Sequence, residues 1–228
     1  MIRLQSTYLG RTMLCNLISC ALFCVFSVHH AFAQSNDMGL DVGMASQTFA
    51  TKSAVRLANS SVMSGALVHV YREVSPGFAL GAAWWRPSTN KAGDREFNGH
   101  AAIVDARTRY SIFPWLEPFA RGGLGVLRQE AAWSNSFSKL QSVSWLPLGL
   151  LAVGVDVLMP RSSWTREKSP SRFAGGMTTE IGWLHTLGRN WVLDGKRDDS
   201  AGLPQQRIDL GAATVTGLWA KLSFLVRW

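Results

Sequence analysis

From Met38 onward the chain alternates apolar and polar positions with a period of two, the spacing that turns successive side chains to opposite faces of a strand. The last ten residues show it most plainly. Trp228, Val226, Phe224, Leu222 and Ala220 fall on one side; Arg227, Ser223 and Lys221 fall on the other, with Leu225 among them. Such alternation predicts eight strands, over about 38–48, 62–74, 77–87, 100–112, 116–130, 143–158, 173–187 and 212–228. Between them, Val74–Gly77 and Phe113–Pro118 read as tight turns; in the first, Pro76 presets φ and Gly77 permits a positive φ. The connections near 49–61, 88–99, 131–142 and 188–211 are longer, polar and rich in Asn, Ser, Gly and Lys. Short and long connections therefore alternate. Pro160–Arg172 departs from the rule: a short turn is expected there, and about a dozen basic, Ser-rich residues stand instead.

Each segment reaches the ~9–11 residues that a tilted membrane-crossing strand needs. Short turns at one end and long loops at the other, with an even strand number, predict an all-β fold: an eight-stranded antiparallel up-and-down transmembrane β-barrel. Composition agrees. Apolar and aromatic residues make up 47% of the chain and charged residues 17%, with ten Trp, yet after the first 33 residues no run of ~18 apolar residues suggests a spanning helix.

The amino terminus adds a destination. Arg3 and Arg11 are followed by an apolar stretch from about Met13 to Val28 and by Ala31-Phe32-Ala33, the basic, apolar and Ala-x-Ala regions of a secretory signal peptide. Residues 1–33 are expected to be a cleaved signal and 34–228 the barrel domain. Leu17–Cys20 also resembles a lipobox, but cleavage there would cut the apolar run in half. Cys15, Cys20 and Cys24 all lie in the signal, so the exported part has no disulfide, thiolate nucleophile or cysteine metal site. The net charge of +8 points to the phosphates of lipopolysaccharide rather than to nucleic acid, which an exported chain seldom meets.

The closing strand, with its terminal aromatic and apolar residues at every second position, resembles the carboxy-terminal assembly signature of outer-membrane barrels, though that family usually ends in Phe and this chain in Trp228. Leu116–Val126 resembles the Pro-aromatic-x-x-Gly-x-Gly strand of small barrels of the OmpA/OmpX type and of the related "outer membrane protein beta-barrel domain" families. The resemblance implies a monomer in the outer membrane of a Gram-negative bacterium, inserted by the barrel-assembly machinery through its last strand.

In that register the inward face carries Asp41, Glu73, Asp105, Arg107, Arg109, Glu117, Arg121, Asp156, Glu180, Lys221 and Arg227. Six acids meet five bases, the near balance that a closed interior needs, because buried charges must be paired. An eight-stranded bore is only wide enough for side chains to fill it, so the expected role is a plug rather than a pore. Gly123 and Gly125, on the same face, leave room for long side chains opposite. Aromatic girdles are expected at both strand ends: Trp84, Trp85, Trp133, Trp145, Trp183 and Trp219 toward the long loops, and Phe78, Phe113, Trp115, Phe119, Phe173 and Trp228 toward the short turns.

Chemistry is sparse. His69 is expected in the lumen beside Glu73, His100 in a loop and His185 on the lipid face with Thr186 inward. No metal-binding His pair, Gly-x-Ser-x-Gly elbow or phosphate loop is present, and no cofactor is implied. Two families of eight-stranded barrel enzymes modify lipid A, one through a His-x-Ser pair, but the sequence after His185 is Thr186-Leu187. The expected function is a structural or surface-interaction barrel, not an enzyme, with specificity in external loops whose basic residues are Arg86, Lys91, Arg95, Arg189, Lys196 and Arg197. A small channel or transporter for small or hydrophobic solutes is one alternative, a lipid A-modifying enzyme another, and a soluble β-sandwich or lipocalin-like binder the alternative fold.

Overall fold

The computed structural model describes residues 37–58, 60–89, 95–134, 139–159, 174–195 and 207–228. The expected signal peptide and the basic 160–172 segment lie outside them. In chain order the elements are β1 (Met38–Thr48), α1 (Lys52–Ala58), β2 (Val62–Ser75), β3 (Phe78–Ser88), β4 (Arg95–Arg109), β5 (Leu116–Ser134), β6 (Lys139–Leu158), β7 (Ala174–Thr186), β8 (Arg189–Gly195), β9 (Arg207–Ala213) and β10 (Gly217–Arg227).

Eight of these, β1–β7 and β10, form a closed antiparallel barrel in which each strand pairs with its sequence neighbour and β10 returns to β1. The closing seam runs from Gly39 opposite Arg227 to Gln47 opposite Trp219. Beyond it, the amides of Met38 and Trp228 each donate to the other's carbonyl, at 2.8 and 3.0 Å. Closure leaves no unpaired edge in the barrel wall. At the short-turn end, Gly77 has φ +75°, as the tight turn after Pro76 requires, and a register shift between Glu73 and Ser75 bends β2 into it.

The period of two shows directly as burial. Along β10, inward Gly217, Trp219, Lys221, Ser223, Leu225 and Arg227 are buried, while outward Leu218, Ala220, Leu222, Phe224 and Val226 are exposed. Met44, Val104, Leu124, Leu151, Val153 and Ile181 continue the exposed apolar surface around the wall. On β5 this outward belt runs from Pro118 to Arg128. Ten steps of ~3.3 Å at a tilt of ~40° rise roughly 25 Å, the height of the apolar band on a membrane barrel.

The long-loop end holds structure where polar loops are expected. Residues 49–61 contain α1, whose Ala54 and Ala58, four apart and so on one face, are buried with Phe49. The 188–211 stretch contains the β8–β9 hairpin, with β8 extending the sheet from the outer half of β6. Its Trp191 is buried and stacks on Phe97 of β4 at 5.5 Å, and Phe97 meets Phe49 edge-on. β4 starts at Arg95, so His100 lies in a strand rather than in a loop.

Candidate functional site in the barrel interior

All eleven charged residues expected in the lumen point inward, and all are shielded from solvent. They form two layers. In the middle of the bore, His69 Nδ1 lies 3.0 Å from Asp41 and Nε2 3.2 Å from Asp105. Asp105 also accepts from Arg121 at 2.9 Å; Arg121 reaches Glu180 at 3.1 Å; Glu180 faces Lys221 at 3.7 Å; and Lys221 returns to Asp41 at 2.7 Å. The result is a closed ring from β1, β2, β4, β5, β7 and β10. Each nitrogen of His69 faces a carboxylate oxygen, so both contacts are hydrogen bonds only when both nitrogens carry a proton. With His69 so protonated, the ring alternates in sign all the way round.

Nearer the short turns is an open chain of six charges. Arg107 bonds Asp156; Asp156 accepts from Arg227 at 3.2 Å; Arg227 donates to Glu117 at 2.8 Å; Arg109 lies 4.0 Å from Glu117 and bonds Glu73. Neutral donors hold the carboxylates in place: Thr178 Oγ1 to Asp156 at 2.7 Å, Ser111 Oγ to Glu117 at 3.0 Å and the Gly77 amide to Glu73 at 2.8 Å. The Arg107 guanidinium lies 3.6 Å from the Phe119 ring centroid and 5.0 Å from that of Tyr71. Glycines make this sandwich possible. A Cβ on Gly154 would lie 2.4 Å from the Phe119 ring, and one on Gly39 would lie 2.1 Å from that of Tyr71.

Several sequence expectations are corrected here. Trp85 and Trp219, expected in the girdle, are fully buried inside the bore, edge-on to each other at 4.9 Å. Trp219 Nε1 donates to Glu180 at 2.8 Å and Trp85 Nε1 to the Ala45 carbonyl at 3.2 Å. Phe119, also expected in the girdle, is inside against Arg107. The reason is parity: Trp219 shares the face of Lys221 and Arg227, Trp85 that of Gly81 and Ala83, and Phe119 that of Glu117 and Arg121. His69 serves Asp41 and Asp105 rather than Glu73. Gly125 makes room for backbone: a Cβ there would lie 2.1 Å from the Ala102 carbonyl oxygen.

Of the other girdle residues, Phe78 lies on the outward face of β3, Phe113 is exposed in the turn before β5, and Phe173 lies outside the described residues. Trp84 and Trp183 are exposed and Trp145 half-buried toward the long loops, whereas Trp115 and Trp228 are exposed at the turn end. Trp133 lies on β5, with its side chain outside the described residues. Arg86 sits on the outward face of β3 rather than in a loop; Lys91, Lys196 and Arg197 and the side chains of Arg95 and Arg189 lie outside the described residues. Thr186 faces inward and His185 outward, where His185 Nδ1 meets Thr216 Oγ1 at 3.1 Å, a neighbour that the sequence around His185 does not reveal. Above the ring, Leu67, Leu127, Leu146, Leu148 and Leu184 close around Trp85 and Trp219 as an apolar plug.

No protein-family model and no curated protein matches the sequence. Among solved structures, a major outer membrane protein from Thermus thermophilus aligns at a TM-score of 0.53 and 11% identity, over 86% of this chain and 99% of that one. OprG from Pseudomonas aeruginosa aligns at 0.49 and 10%, over 86% and 98%, and Neisserial surface protein A at 0.48 and 11%, over 85% and 96%. With its outward apolar belt and its closed eight-stranded wall, the chain has the fold of the small outer-membrane β-barrels.

Proposed function

We propose that this protein is an exported outer-membrane barrel of a Gram-negative envelope with a structural or surface-interaction role, a lumen sealed by side chains, and its specificity at the α1 and β8–β9 end. The filling of the bore carries this reading. Ring, chain and apolar plug lie one above another, and an ion passing through would have to break buried ion pairs and shed its water against Trp85 and Trp219. The β1–β10 seam supports a role for the last strand in assembly, since the wall closes only when it docks.

Fractionation and conductance test it together. The protein should be recovered with outer membranes and migrate differently on gels before and after boiling; recovery in the soluble periplasm would refute the membrane reading. Folded protein in planar bilayers should give no discrete openings, and regular single-channel steps would favour the channel instead.

One observation favours a second reading, a lipid-modifying enzyme. His185 and Thr216 form a base–hydroxyl pair on the outward face. Among the described residues no carboxylate forms a hydrogen bond or ion pair with His185. Lipid A mass spectra with and without the gene decide it: a change in acyl composition that Thr216→Val abolishes would establish the enzyme.

A further inference from the structure

Cations on the outward wall are not spread evenly at the long-loop edge of the apolar belt. Arg86 on β3, His100 on β4 and Arg128 on β5 occupy neighbouring outward positions; His100 is directly opposite Arg128, and Trp145 of β6 directly opposite Arg128 on its other side. The imidazole stacks on Trp84 at 6.0 Å, and the Arg128 guanidinium lies 5.9 Å from the Trp145 ring centroid. Both guanidinia act electrostatically on His100. Toward the long-loop end of β7, β10, β1 and β2 the described outward residues are His185, Leu218, Thr48, Ser46 and Ser64, none of them Arg or Lys.

Among the described residues the cluster holds two guanidinium groups and one ion-paired carboxylate. Glu130 pairs with Arg128 and is the one carboxylate in an ion pair there, whereas Arg86 is exposed and has no ion-pair partner among the described residues. Two guanidinium forks flanked by Trp rings, where an apolar belt gives way to polar surface, suit a ligand with an anionic head and an apolar tail. Guanidinium groups match phosphate oxygens in charge and geometry, and interfacial Trp packs on the adjoining carbons.

We propose that Arg86, Arg128 and His100 hold the phosphate of a membrane lipid headgroup against Trp84 and Trp145. The site rests on the reading that the belt lies in a bilayer. It commits to lipid phosphate, not free phosphate, because the Trp rings line the apolar side of the cluster.

Native mass spectrometry of the folded full-length protein, released from detergent with phosphorylated lipid A or with the same lipid stripped of phosphate, tests this. Wild type should retain the phosphorylated lipid about tenfold better, the loss of charge-assisted contacts setting that scale. Arg86→Gln with Arg128→Gln should abolish the preference, Glu130→Gln should strengthen it, and Leu218→Gln, on the outward face of β10, should leave it unchanged. A double variant that still migrates as a folded barrel and keeps the wild-type preference would overturn the site. So would equal retention of both lipids by wild type, or displacement by equimolar inorganic phosphate. Those results leave the barrel reading intact, whereas a chain that cannot fold into lipid sinks both.

Discussion

His69 is fixed between Asp41 and Asp105, one carboxylate at each ring nitrogen, with no exposed surface. The neutral imidazole has one N–H, so one of the two contacts would then set lone pair against lone pair. The doubly protonated ring turns both into charge-assisted hydrogen bonds and supplies the sixth cation against six acids. Removing one partner of a buried pair leaves an uncompensated charge, at a cost of about 3–5 kcal/mol. His69→Gln and Asp105→Asn should each therefore destabilise by about that amount, since each leaves the ring one charge out of balance. Together they restore neutrality. The double variant should be more stable than the sum of the two losses, with a coupling of about 1–3 kcal/mol. Urea unfolding in lipid vesicles measures the cycle; simple additivity would show that the two sites do not share a network.

At the scale of the strand, outward and inward positions of β10 obey opposite rules. Leu222 lies outward and half exposed, midway along β10, opposite Met44 and Thr179. On a soluble sheet an exposed Arg there would be nearly neutral. On a wall facing hydrocarbon, Leu222→Arg should cost about 2–4 kcal/mol. Vesicle unfolding separates the two, and a change within about 0.5 kcal/mol would argue against a bilayer around this strand. The same alternation explains what was legible in the sequence. The number and order of the eight barrel strands followed from the period of two, and the inward placement of the eleven charges followed from their parity. Trp85, Trp219 and Phe119 were misplaced because aromatic residues near strand ends suggest girdles, although their parity already set them beside Ala83, Lys221 and Arg121. The ion-pair partners were not legible, because they depend on register between strands that are not paired with each other; His69 of β2 and Asp105 of β4 meet over Gly81 of the intervening β3. The β8–β9 hairpin was missed for another reason. Its strands are short and pair with each other and with the end of β6 above the barrel wall, leaving no long two-faced run to read.

Across the whole molecule, with both nitrogens of His69 protonated, the interior charges balance layer by layer. The ring holds Asp41, Asp105 and Glu180 against His69, Arg121 and Lys221; the chain below it holds Glu73, Glu117 and Asp156 against Arg107, Arg109 and Arg227. No ion pair among the described residues joins the two layers. Neutrality within each layer lets the bore be charged without a net field that would draw in counter-ions, and the plug above is uncharged, its Leu and Trp side chains joined by buried Gln47 and Thr186. Two networks that share no partner should behave independently. Lys221→Met and Glu73→Gln, one from each layer, should add in unfolding free energy to within about 0.5 kcal/mol. Lys221→Met and Asp41→Asn, within the ring, should instead couple, because the second removes the charge that the first leaves stranded. Coupling between layers as large as that within the ring would mean that the lumen is one connected network. A break anywhere in such a network would reach both ends of the bore, whereas independent layers let one fail while the other keeps the lumen shut.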